Sequence, residues 1–184
     1  GEIGNKEVGY YSAAIRICIF VIFIPQMIAN SLTPLLVDTF NNQKEEYSSK
    51  INMFMDIMNW VGIILSLILF FLAKPLILIA YGNSFIPAIL ILQVVAWKGF
   101  FTATGIATGR QSTIENLQKY GYLRNLIGLV VNIILNIILI PTHKALGAAY
   151  ATVTSMFVAN VISHLLIKPY WHIFKSQILS FIVG

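Results

Sequence analysis

Phe54-Met-Asp-Ile-Met-Asn-Trp-Val-Gly-Ile-Ile-Leu-Ser-Leu-Ile-Leu-Phe-Phe-Leu72 carries one charged side chain in an otherwise nearly continuous apolar run. At ~1.5 Å rise per residue such a run crosses a hydrocarbon core of ~30 Å as a single helix. Four more stretches read the same way: Val8 to Leu36, Phe85 to Ala107, Tyr122 to Ile140 and Ala145 to Leu166. The expected fold is therefore all-α. It is a polytopic transmembrane bundle of about five membrane-spanning helices with short interfacial helices.

Composition agrees. Of 184 residues, 58% are hydrophobic and 10% charged, where soluble domains carry roughly a quarter charged residues, and the mean hydropathy is +0.80. The net charge of +5 does not point to nucleic acid, because Lys and Arg are scattered over the connections without a basic stripe or an aromatic platform. Membrane phospholipid is the expected partner instead. Cys18 is the single cysteine, so the chain can build neither a disulfide nor a cysteine-based metal site within itself. The sequence opens Gly1-Glu2-Ile3-Gly4 and closes in an apolar run from Ile178 to Gly184. It is expected to be a fragment, with residues 178–184 starting a further helix.

The connections are short: Val37 to Met53, Ala73 to Ser84, Thr108 to Gly121, Pro141 to Lys144, and a tail from Ile167. Alternate crossings place Lys44, Lys50, Arg110, Lys119, Arg124, Lys168 and Lys175 on one side and Lys6, Lys74 and Lys144 on the other. Basic residues in short loops stay cytoplasmic, which puts the first group inside. The N-terminal segment and the Pro141 turn then lie outside. Lys74-Pro75 to Gly82 is too short to span and reads as a separate interfacial helix opened by Pro75 and closed by Gly82. The tail from Lys168 to Lys175 mixes aromatic and basic residues as an interfacial anchor does.

Polar residues inside the apolar runs are the candidates for function. In the first run Ser12, Arg16, Gln26 and Asn30 fall within one arc at ~100° per residue, with Pro25 kinking the helix between them. Arg16 lies about 10 Å in from Gly9, where a guanidinium costs roughly 2.5–3.5 kcal/mol. Either it snorkels or pairs with Asp56, or it faces a cavity as a ligand-binding cation. Asp56, Asn59 and Ser66 share an arc on the second helix, with Asp56 open to a coupling role or to simple solvation. Lys98 either lines the cavity or reaches the headgroups. Asn125, Gly128, Asn132 and Asn136 form a stripe on the fourth helix, which either glues helices together or wets part of a transport path. The fifth opens with small residues, so the fourth and fifth are expected to pair as an antiparallel hairpin. His164 reads as a structural residue or a proton relay. Paired catalytic carboxylates, metal-ligand clusters, nucleophile triads and phosphate-cradling glycine loops do not occur. The reading is a non-enzyme with neither cofactor nor metal.

Several stretches carry a family likeness. Glu7 to Ile17 (Glu-Val-Gly-Tyr-Tyr-Ser-Ala-Ala-Ile-Arg-Ile) resembles the segment that opens the second helix of the C-terminal lobe in bacterial oligosaccharide flippases. In order after it come Ile79-Ala-Tyr-Gly-Asn-Ser-Phe-Ile-Pro-Ala88, Asn132 to Pro141, and Leu146-Gly-Ala-Ala-Tyr-Ala-Thr152. These are similar to that family's "lyG..f..a", "N..lN..lip" and "GaA.AT" elements. The resemblance, to the multidrug, oligosaccharidyl-lipid and polysaccharide exporter superfamily, covers nearly the whole chain. It implies two lobes of about six helices around a cavity that faces alternate sides. Residues 1–184 would then form most of the C-terminal lobe, with the N-terminal lobe of the same chain as partner. The implied function is outward transport of an undecaprenyl-diphosphate-linked oligosaccharide across the bacterial cytoplasmic membrane. The family's lumenal cations hold the substrate diphosphate. Arg16 is the first position to inherit that role, followed by Lys98, Arg110 and Arg124, and sugar hydroxyls would meet Gln26, Asn30 and Asn132. Rival readings are a cation-coupled multidrug exporter, for which Asp56 would be the coupling group, an integral-membrane saccharide polymerase or acyltransferase, and a scaffold.

Overall fold

The computed structural model describes the backbone of residues 2–182 and the side chains of residues 4–178. No strand occurs among the described residues. Helix α1 (Glu2–Asn42) and helix α2 (Lys44–Tyr81) are joined by Gln43 alone, so the connection expected over Val37 to Met53 is helix almost throughout. Apolar spacing explains the extension: Leu36 on α1 and Ile51, Phe54 and Met55 on α2 are buried together. Phe40 and Tyr47 close the junction edge to face, with ring centroids 4.9 Å apart.

The separate interfacial helix expected from Lys74 does not form, because α2 continues through Pro75 to Tyr81. Leu69, Ala73 and Ile77 recur every four residues and are all buried in one cluster. That packing holds the axis while the proline ring sits on the exposed side, where a lost backbone bond is most easily accommodated. The expected end at Gly82 is correct: its φ is +76° and its N–H bonds to the carbonyl of Leu78. A 3-10 turn, Asn83–Phe85, follows.

The third apolar run is split at Trp97 into α3 (Pro87–Ala96) and α4 (Lys98–Ile114). At the break Ser66 of α2 accepts the Phe100 N–H at 2.9 Å. A Cβ on Gly62 would come within 2.9 Å of the Phe100 Cα, so the two backbones touch here as small residues in membranes allow. Helix α4 outlasts its expected end at Ala107. It stops in a Schellman motif: Asn116 takes φ +59°, its N–H bonds Thr113 O, and Leu117 N bonds Ser112 O at 2.7 Å.

Helix α5 (Gln118–Phe157) runs through the expected turn at Pro141 to Lys144, yet the chain reverses there, for Lys144 has φ +51° and ψ −129°. The two limbs then pack antiparallel. Asn132 Nδ2 bonds Ser155 Oγ at 3.2 Å, a Cβ on Gly128 would sit 2.8 Å from the Ala159 Cβ, and one on Gly147 would run into the Leu139 carbonyl. Among the described residues four helices are thus long and apolar enough to cross a membrane: Gly4–Asn42, Lys44–Tyr81, Pro87–Ile114 and Gln118–Leu166. The last, folded on itself, supplies two of the five expected limbs.

A π turn, Val158–Ile162, leads into the short α6 (Ser163–Leu166), a 3-10 turn (Lys168–Tyr170) and α7 (Trp171–Ile182). The tail is more than an anchor. Tyr170, Ile173 and Gln177 are fully buried, while Trp171 and Lys175 stay exposed. The helix expected over residues 178–184 is therefore the continuation of α7 as far as Ile182, and 183 and 184 lie outside the described residues.

Two apolar clusters make the core. One joins Ala14, Cys18, Leu69, Ile77, Leu92 and Ala149, and the other joins Ala29, Phe54, Met58, Ala107, Tyr170 and Ile173. Between them runs a polar seam in which Thr104 donates to Asn59 Oδ1 at 2.8 Å. Lys144 lies 3.9 Å from Glu7 and Tyr10 meets Phe85 edge to face, so the start of α1, the end of α2 and the hairpin tip share one end of the bundle. Tyr47, Glu115 and His172 meet at the other.

Candidate functional site

Helices α1 and α4 run side by side in the same direction, with Cys18 Sγ bonding Val95 O just ahead of α4 and Asn30 meeting Arg110. The buried side of α1 carries Ala14, Cys18, Pro25 and Ala29. Its opposite side exposes Arg16, Phe20, Phe23, Met27 and Asn30. Pro25 shifts the register between the two halves without breaking this division.

On that exposed side a polar chain links the helices. Arg110 Nη2 donates to Asn30 Oδ1 at 2.7 Å, and Gln26 Nε2 donates to the same oxygen at 3.1 Å. Two donors on one oxygen fix the Asn30 amide and hold the guanidinium against α1. Among the described residues Arg110 has no ion pair, so its charge remains available for an anion. Next to it lies a cavity of about 270 Å³ lined by Thr33, Phe40, Asn41, Arg110, Thr113 and Asn116. Bidentate capture of a phosphate or carboxylate is the chemistry such a guanidinium offers.

The other expected residues are not brought to this pair. Arg16 is exposed on the same side of α1, about fourteen residues or ~21 Å before Asn30 along the axis. The Arg16–Asp56 ion pair weighed from the sequence is not among those formed. Its geometry is unfavourable, since Asp56 follows the α1–α2 junction closely and lies level with Asn30. Lys98 is half-buried where α4 begins, about twelve residues or ~18 Å from Arg110. Asn132 is half-buried on α5; it donates to Ser155 and accepts from Asn136 at 3.0 Å, within the hairpin. On α2, Asn59 and Ser66 bond α4 rather than open space.

Two polar clusters at the Glu115 end escape a reading by composition. Glu115 accepts from Tyr47 Oη at 3.0 Å, from Gln111 Nε2 at 2.9 Å and from His172 Nε2 at 2.5 Å. Burial pushes the Glu115 carboxyl up, but the bonds from His172, Gln111 and Tyr47 together with the His172 charge bring it below its ordinary range. The Glu115 bond raises His172 above its own ordinary value against the opposing effect of burial. In the second cluster His164 Nδ1 bonds Gln177 Oε1 at 3.0 Å, while Gln177 Nε2 donates to Asn160 O at 3.1 Å. The amide orientation makes Gln177 Oε1 the acceptor, so His164 carries its proton on Nδ1. A signal for the first was present: Thr104, Thr108, Gln111 and Glu115 recur at spacings of four, three and four, a polar stripe that only a helix continuing to Glu115 can present to one neighbour.

Among the described residues no group of three His, Cys, Asp or Glu side chains is placed to hold a metal. No family model matches the chain, and no solved structure does. Over 167 residues the chain is 26% identical to a protein of Haloferax volcanii described as a probable low-salt glycan biosynthesis flippase, Agl15. The similarity takes in 87% of this chain and 34% of that relative. The chain thus spans about a third of the length of a protein named as a glycan flippase.

Proposed function

We propose that the protein moves a lipid-linked glycan across a membrane and that the α1/α4 side is part of the wall its substrate passes. The observation that carries this reading is Arg110, which among the described residues has no ion pair and donates to Asn30, itself held by Gln26, on a membrane-length helix. The partial likeness to a glycan biosynthesis flippase supports the substrate class. In the finer reading the cargo is an undecaprenyl-diphosphate-linked oligosaccharide and the membrane is the bacterial cytoplasmic one. Its diphosphate would be gripped first by Arg110, then by Lys98 and Arg16 farther along the same side. Gln26 and Asn30 would meet sugar hydroxyls, and Asp56, level with them, would couple transport to a cation. The N-terminal lobe would close the path from the opposite side.

The test is glycan export in cells carrying the full-length protein, with membrane abundance measured alongside. R110Q is expected to lower export at least tenfold at normal abundance, and R110K to retain part of it, because charge survives while the planar fork is lost. R16Q and K98Q should reduce export less. Wild-type export by R110Q at normal abundance overturns the assignment.

A further inference from the structure

Across Thr113 from the Arg110 cavity lies a second cleft, of about 190 Å³, lined also by Ser112, Gln118, Arg124, Asn125 and Tyr170. Its charged member is half-buried. Arg124 Nη1 donates to Thr108 Oγ1 at 2.9 Å, its Nε is buried without a hydrogen-bond partner, and no ion pair neutralises it among the described residues. The nearby acid, Glu115, is committed to Tyr47, Gln111 and His172. His164 cannot supply a negative charge, and its Nδ1 proton is fixed by Gln177. The remainder of the lining is polar: Tyr170 Oη donates to the Leu117 carbonyl and accepts from Ser112 Oγ at 2.8 Å, Gln118 Nε2 spends one N–H on the Thr113 carbonyl and keeps the other, and the Asn125 side chain is exposed.

A cation held away from water without a counter-charge is unfavourable by several kcal/mol unless an anion completes it. Side-chain amides beside a guanidinium with an unpaired Nε–H suit a tetrahedral oxyanion. The depth suits one as well. Tyr122, which is 78% exposed, and Trp171 stand beside Lys119 and Lys168, the mixture found where helices meet headgroups.

We propose that this cleft is a phosphate-binding site, filled by the phosphodiester of an anionic phospholipid headgroup or by free phosphate. The assignment does not depend on the transport reading: although Thr113 lines both cavities, Arg124 is held by Thr108 and Arg110 by Asn30.

The experiment measures thermal unfolding of the intact protein in neutral detergent against added dioleoyl phosphatidylglycerol, dioleoyl phosphatidylcholine and inorganic phosphate. Phosphatidylglycerol is expected to raise the midpoint by several degrees and phosphatidylcholine to leave it within a degree. A response to inorganic phosphate alone also upholds the site and names the soluble source. R124Q should abolish the response and R124K weaken it, while K119Q/K168Q should keep it. Should R124Q fail to fold, Q118A/N125A, which alters two exposed lining residues, is expected to weaken the response at least threefold. The proposal is overturned if neither phosphate source shifts the midpoint, if R124Q or Q118A/N125A responds like the wild type, or if K119Q/K168Q loses the response as R124Q does. The last outcome would mark a diffuse charge effect.

Discussion

Glu115 joins three helices through one carboxylate, and removing it tests whether the C-terminal helix is truly docked. Its Oε1 accepts from Tyr47 of α2 and Gln111 of α4, its Oε2 from His172 of α7. The Glu115 side chain is 14% exposed and that of His172 52%. The His172 bond is therefore partly screened and contributes about 1 kcal/mol, not the value of a buried pair. Tyr47 and Gln111 lie on the drier side, where a donor stripped of its acceptor costs ~1–3 kcal/mol. E115A is expected to destabilise the protein by ~3–5 kcal/mol in all. E115Q, which keeps an acceptor oxygen, should cost roughly 1–2 kcal/mol. Unfolding in detergent reads the total, and limited tryptic proteolysis after Lys175 reads the undocking of α7. A double-mutant cycle with H172Q should return a coupling near 1 kcal/mol. Unchanged midpoints and unchanged α7 cleavage in both Glu115 variants would refute the account.

The same pair sets a pH dependence. Glu115 is lowered in the folded protein, so its contribution is present above the ordinary carboxylate range near 4.3 and is lost as pH falls through the lowered value. His172 is raised, so its contribution is complete below the ordinary imidazole value near 6.5 and is lost as pH rises through the raised one. Docking of α7 is strongest between these limits, and H172Q should flatten the decline on the alkaline side.

The remaining predictions concern the hairpin and its turn. Lys144 holds φ +51° and ψ −129°, a region open mainly to glycine. K144G should therefore stabilise by about 1 kcal/mol despite losing an exposed 3.9 Å contact to Glu7, as thermal unfolding would show. Asn132 and Ser155 face one another at 3.2 Å, so N132C/S155C in a C18A background should crosslink within the chain under mild oxidation. A straight helix from Gln118 to Leu166 would place them about 34 Å apart, and absence of the crosslink in folded protein would reject the reversal. G147V meets backbone rather than a yielding side chain. It should lower folded yield sharply, where G4A, with nothing within 4 Å, should not.

The crossings were legible because length and apolarity alone decide them, and the reversal at Lys144 was foreseen from the small residues that follow it. The ends were less legible. Val37 to Met53 and Thr108 to Gly121 contain enough polar residues to read as loops. In the folded chain Thr39, Gln111 and Ser112 are buried and hydrogen-bonded within the bundle, so polarity there marks contact between helices and not solvent. Pro75 misled for a related reason: the local rule starts a helix at proline, but Ala73 and Ile77 on either side pack into one cluster and keep the axis. Of the candidate site, the shared side of Gln26 and Asn30 followed from spacing, whereas their union with Arg110 did not, because it joins residues 80 positions apart.

Bookkeeping of polar groups then separates structure from function. Asn59, Ser66, Thr104, Asn132 and Ser155 bond across helix contacts, as expected where lipid supplies no alternative partner. Arg16, Gln26, Asn30 and Arg110 differ, for they stand on the outward side of the α1/α4 pair without a carboxylate partner. If that side met acyl chains, each arginine would oppose insertion by roughly 2.5–3.5 kcal/mol, and a hydrogen bond to one asparagine would offset only part of it. Water, an anion or another polypeptide segment must therefore face this side. Each of those surroundings suits the substrate path proposed above, and acyl chains provide none of them.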